Sequence, residues 1–146
     1  MMENHFENKA KRRIRTGVIY LSVGLIVFLI GIKPALFGLD RSPVIGFVQI
    51  AVFLIGLAAM CLGSFITLNA LWNGNQRTII ADIGYRLVST GFVVAALSGM
   101  ADVFGIGSHR FPAVPYFGHM QAIGVILGQI TILIGLILMI PYRRGK

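Results

Sequence analysis

The sequence predicts an all-α integral membrane protein, a bundle of four transmembrane helices with both termini cytoplasmic. Three observations carry that expectation. First, 56% of the 146 residues are hydrophobic and only 12% are charged, against roughly 25% in a typical soluble domain. The mean hydropathy is accordingly +0.82. Second, the charges cluster and leave long uncharged runs between them. Third, the helix breakers fall between those runs: Lys33-Pro34, Ser42-Pro43, Asn73-Gly74-Asn75, and Pro112 with Pro115. This composition excludes a soluble globular enzyme, a disordered tail and a disulfide-stapled secreted domain. Open strands are excluded as well, because lipid offers a sheet edge no hydrogen-bond partners.

The chain opens with a basic tail, residues 1–15, which holds Lys9, Lys11, Arg12, Arg13 and Arg15. The first span follows as Thr16 to Ile32, 17 residues without a charge. That is just long enough for a thin membrane, since a ~30 Å core takes roughly 20 apolar residues. A cleaved signal peptide begins in the same way, but Lys33-Pro34 stands where a small-x-small cleavage site would be, so the run reads as a retained anchor. The second span covers about 44–72. The third, about 79–104, carries Asp82, Arg86 and Asp102; the fourth, about 118–140, is closed by Pro141. Together they make a transmembrane domain over 16–142, followed by a basic tail, 143–146.

Orientation follows from the basic residues. With both ends cytoplasmic, ten of the 13 Lys and Arg lie inside, and Lys33, Arg41 and Arg110 lie outside. Tyr20, Trp72, Tyr85 and Tyr142 then fall near the inner interface, and Phe111, Tyr116 and Phe117 near the outer one. A net charge of +8 arranged in this way attracts anionic lipid at the cytoplasmic face. No interleaving of aromatic and basic residues points to nucleic acid. The expected location is a bacterial-type plasma membrane.

Glycine recurs every seven residues in each span: Gly17, Gly24 and Gly31; Gly56 and Gly63; Gly84 and Gly91; Gly128 and Gly135. Gly124 adds a G-xxx-G step with Gly128, and Gly91, Ala95 and Gly99 form a small-residue series. Residues seven apart share a helix face, and small residues there let helix backbones approach closely. Such faces serve packing within the bundle or contact with partner subunits. The outer loops share a second pattern, Gly38-Leu-Asp-Arg41-Ser-Pro43 and Gly107-Ser-His-Arg110-Phe-Pro112, each followed by a glutamine (Gln49, Gln121). Two readings fit it: a duplicated helical hairpin, or the recurrence of Pro and Arg in interfacial loops.

Candidate functional residues are few. Asp82 and Arg86 have the favourable i,i+4 order of a helical ion pair, near a helix N-terminus that stabilises the acid. Asp82 and Asp102 stand about 30 Å apart along a helix, so they bracket the core instead of forming a relay within it. No charged residue or histidine lies near any span's midpoint, where ion-coupled transport needs one. Gln129 is the most central polar side chain and suits interhelical hydrogen bonding or contact with a quinone, pigment or lipid; Asn69, Ser89, Thr90 and Ser98 suit the same bonding. His119 opens the fourth span, where it is a candidate haem or chlorophyll ligand. His109 and His119 with Asp102 do not define a metal site, and Gly105-Ile-Gly107 lacks the lysine and third glycine of a phosphate loop. Cys61, the single cysteine, lies mid-span as packing.

By elimination, the expected function is a non-catalytic accessory or structural subunit of a larger membrane complex, an energy-transducing assembly being one candidate, with other membrane subunits as partners. The sequence requires no cofactor. The alternatives are a small homo-oligomeric transporter or channel with Asp82, Arg86 and Gln129 along its path, and a lipid-, quinone- or pigment-binding module.

Overall fold

Four helices follow one another, α1 (Met2–Ile32), α2 (Phe47–Leu71), α3 (Ile79–Gly99) and α4 (His119–Leu138). The structure is a computed structural model that describes residues 2–33, 38, 46–72, 75–106 and 117–142, with side chains from residue 7 onward. Among the described residues there is no strand, and each helix contains a segment long and apolar enough to cross a membrane. Only between 17% and 33% of each such segment is buried within the chain. The rest presents apolar side chains outward, including Val48, Ile79 and Met120, which suits a hydrocarbon surrounding.

Two boundaries differ from the sequence reading. Helix α1 does not begin at Thr16 but runs back through the basic tail to Met2. No Gly or Pro interrupts residues 2–16; Lys11 pairs with Glu7 at 3.5 Å, and the Thr16 hydroxyl donates to the Arg12 carbonyl at 3.0 Å. Charge marks where the apolar run ends, not where the helix ends. Helix α3 stops at Gly99 instead of continuing to 104. Residues 101–105 form turns; Gly105 adopts a φ of +73°, and the Ile106 N–H reaches back to the Ala101 carbonyl at 3.0 Å. A left-handed glycine of this kind ends a helical path at little steric cost.

The helices pack as two antiparallel hairpins, α1 on α2 and α3 on α4, joined mainly through a smaller contact of α2 with α3. Glycine makes the hairpins. A methyl group on Gly91 would lie 2.6 Å from the Gly128 carbonyl oxygen, and one on Gly128 would lie 2.6 Å from that of Gly91. Gly84 and Gly135 face each other in the same way, at 2.5 and 2.7 Å. In the first hairpin Gly17 and Gly63 form the matching pair, at 2.7 and 2.6 Å. Gly24 meets the backbone of Ala59 and Met60, Gly31 that of Phe53, and Gly56 that of Phe28. Lipid tails are as apolar as leucine, so membrane helices associate through this close packing instead of through water exclusion.

Large side chains join the hairpins. Leu57 and Cys61 of α2, Val88 and Ala95 of α3, and Ile132 of α4 form one buried cluster with Met139, and Phe65, Leu68 and Phe92 pack against it. At the end that carries both termini, the Trp72 indole N–H donates to the Met139 carbonyl at 3.1 Å. There the Phe65 and Tyr85 rings also meet at 4.7 Å, and the Arg77 guanidinium sits 5.9 Å over Tyr85.

Candidate functional site

At the opposite end, where the loops of both hairpins lie, the seam opens into a cavity of about 250 Å³. Every helix contributes to it. Gly31 and Ile32 end α1; Gln49, Ile50 and Phe53 begin α2; Gly99 ends α3; Phe117, Ala122, Val125, Ile126 and Gln129 come from α4 and its approach. The local structure explains the opening. Gly31 lets α1 rest on the Phe53 backbone, and the Phe53 ring packs on Phe28 at 4.9 Å, so the aromatic mass is drawn into the first hairpin. Gly99 has no side chain to fill the seam: a methyl group there would meet Ile50 at 3.4 Å, Val125 at 3.6 Å and Leu54 at 3.7 Å, all ordinary contacts. Helix α1 makes no extended contact with α3 or α4.

The walls are apolar except for two amides. Gln49 and Gln129 are half-buried, and neither has a hydrogen-bond partner among the described residues. They are the polar side chains of the lining, so an occupant with a polar atom would find hydrogen-bonding groups there. Gln121, also near this end, differs. It is buried, and its Oε1 accepts the Gly118 N–H at 2.8 Å, which caps the start of α4.

The other candidate residues lie apart from this cavity. His119 is the exposed first residue of α4, about 15 Å along the helix from Gln129. Asp82 and Arg86 pair at 3.8 Å in the first turns of α3, at the end carrying the termini, with side chains 58% and 81% exposed. They do not line the cavity that Gln129 lines. Ser89 donates to the Tyr85 carbonyl of its own helix, whereas Ser98 packs against Gly124 across the α3–α4 interface. Asn69 and Thr90 are exposed. Among the described residues no three His, Cys, Asp or Glu side chains gather as a metal site; His109 and both shared loop motifs, apart from Gly38, lie outside the described residues. The Asp102 Oδ1 is buried without a hydrogen bond to any described group.

The glycine faces expected to serve packing or partner subunits are occupied within the hairpins, by α2 for Gly17, Gly24 and Gly31 and by α3 for Gly128 and Gly135. The sequence reading met Gln49 only after the loop motif and Gly99 only in the small-residue series with Gly91 and Ala95, and joined neither to Gln129. Comparison of the chain with known protein families, with curated proteins and with solved structures finds no match.

Proposed function

We propose that the chain is a non-catalytic, multi-pass membrane protein that holds a membrane-soluble amphiphile between its two hairpins. The observation that carries this reading is the apolar cavity lined by all four helices, with the amides of Gln49 and Gln129 in its wall. Ligand pockets combine apolar walls with a few placed polar groups in this way. At about 250 Å³ the space suits a single-ring head group of the quinone type or a stretch of acyl chain. The two amides would give a carbonyl or hydroxyl of the ligand its hydrogen bonds.

The same opening supports a second reading, an accessory subunit of a larger membrane assembly. With α1 standing off α3 and α4, a partner's helix would enter the seam where the amphiphile otherwise lies. Purification in mild detergent followed by mass spectrometry separates the two. The first reading expects a stoichiometric small amphiphile that is lost when Ala122→Trp fills the cavity. Co-purified subunits released by the same substitution would favour the second, and a protein carrying only bulk lipid would refute the first.

We take both termini to be cytoplasmic, a reading supported by the basic residues that precede the apolar part of α1 and follow α4. In a Cys61→Ala background, Ser108→Cys should react with an impermeant thiol reagent added outside, and Asn75→Cys should not. The reverse labelling would invert the topology.

A further inference from the structure

We infer that Lys9, Arg12 and Arg13 on α1, set beside Ile66 of α2, form a binding site for the phosphate of an anionic phospholipid. The inference rests on the chain lying in a membrane and is independent of the cavity at the other end. These three cations, with Thr16, fall at i, i+3, i+4 and i+7, so they share one face of a helix. That face borders a surface groove of about 360 Å³ whose far wall is Ile66. Glu7 is engaged elsewhere, with Lys11 at 3.5 Å. No carboxylate among the described residues pairs with Lys9, Arg12 or Arg13, so three cations converge on the groove with no counter-ion among those residues. The Thr16 hydroxyl already donates to the Arg12 carbonyl, which leaves the recognition to the cations.

Depth selects a lipid as the occupant. The uncharged run from Thr16 to Ile32 has 17 residues, about 25 Å of helix, less than the ~30 Å of a typical hydrocarbon core. The charged ends of α1 are thereby drawn into the head-group layer, where lipid phosphates lie. The groove is polar on its α1 side and apolar at Ile66, an amphipathic outline. One turn deeper, the same faces continue as Tyr20 on α1 and Leu62 on α2, both exposed apolar side chains. A phosphate held by the arginine forks would therefore have its acyl chain beginning over Ile66 and running along Leu62.

The test compares two variants of equal charge. The full chain is purified in mild detergent and titrated with phosphatidylglycerol, with phosphatidylcholine, and with inorganic phosphate, bound lipid being counted by native mass spectrometry. Wild type should take up phosphatidylglycerol at least tenfold more tightly than phosphatidylcholine. Arg12→Gln/Arg13→Gln should lose most of that preference. Lys11→Gln/Arg15→Gln, which removes the same charge from α1 outside the groove, should keep it. Equal losses in the two variants would show diffuse attraction to a basic helix and overturn the site. Displacement of the lipid by millimolar phosphate would overturn the lipid as occupant and leave a free anion in its place. A wild-type protein without preference for phosphatidylglycerol would overturn the inference outright.

Discussion

Inside each hairpin, glycine brings two helix backbones together, whereas between the hairpins side chains meet across a wider seam. Gly91 and Gly128 leave no room for a methyl group on either side. Gly99, on the seam, leaves ordinary van der Waals space on all three of its neighbours. The seam is also uneven. At the end with the termini it is fastened by the Trp72–Met139 hydrogen bond and the Phe65–Tyr85 ring contact; at the loop end it opens into the cavity. The difference teaches where this fold is rigid and where it has room. Backbone contact fixes each hairpin as a unit, and a site for another molecule lies where only side chains meet.

The largest effect should come from forcing a side chain into the backbone contact. Gly91→Leu or Gly128→Leu places atoms where a carbonyl oxygen stands 2.6 Å from the first carbon, and no rotamer moves that carbon away. Overpacking in proteins typically costs 1–3 kcal/mol, occasionally more; with backbone as the obstacle, about 3 kcal/mol or above is expected. Denaturation in detergent should show the loss as a fallen midpoint or as failure to fold. A midpoint within error of wild type would show that the helices stand further apart than this geometry requires, and the contrast with the seam would collapse.

Fastening of the seam is a smaller quantity. Trp72→Phe keeps most of the ring and removes the N–H that bonds the Met139 carbonyl at 3.1 Å. A hydrogen bond of this kind contributes about 0.5–1.5 kcal/mol net, so an unfolding midpoint lower by about 1 kcal/mol with unchanged helix content is expected. An unchanged midpoint would mean that the aromatic contacts alone hold this end.

How far the sequence reaches follows from these same residues. The four helices were legible because apolar run length and Pro or Gly breakers are local signals, and α2 and α4 fall within about three residues of the expected spans. The full length of helix α1 was not legible from its apolar run, since Lys, Arg and Glu continue a helix readily while ending such a run. The seven-residue glycine series showed that faces would pack closely, because period alone defines a face; it does not name the helix opposite. That pairing, Gly17 with Gly63 and Gly91 with Gly128, needs the fold. The cavity needs it even more. Gln129 was visible as the central polar residue of its span, but Gln49, Gly31 and Gly99 reach it from three other helices, and no local pattern joins them.

Smaller still is the ion pair of α3. The Asp82 and Arg86 side chains are 58% and 81% exposed and 3.8 Å apart, and exposed helical pairs at this spacing contribute about 0.3–0.5 kcal/mol. Asp82→Asn should shift the unfolding midpoint by no more than that, and Arg86→Gln should add little to it. A loss above about 2 kcal/mol would place the pair against something that buries it, and would bring a second interface into the comparison.

The smallest expected effect, and the only one of opposite sign, belongs to Gly99→Ala. Glycine in a helix interior is about 0.8–1.0 kcal/mol less favourable than alanine, because it gives up more backbone freedom on folding. At Gly91 that gain would be overwhelmed, since the added methyl group meets a carbonyl at 2.6 Å. At Gly99 the added carbon finds Ile50, Val125 and Leu54 side chains at 3.4 to 3.7 Å, where dispersion is attractive. Because Gly99 is the last residue of α3, only part of the helical gain applies. The unfolding midpoint should therefore stay level or rise by up to about 0.5 kcal/mol. The same methyl group also borders the cavity, so Gly99→Ala should trim its volume and weaken retention of any bound amphiphile without loosening the hairpins. Gly91→Ala measured beside it gives the scale: a fall there with no fall at Gly99 would fix the contrast between backbone contact and side-chain seam on one substitution. A fall at Gly99 as large as at Gly91 would show that the seam is packed as tightly as the hairpins and has no room for another molecule.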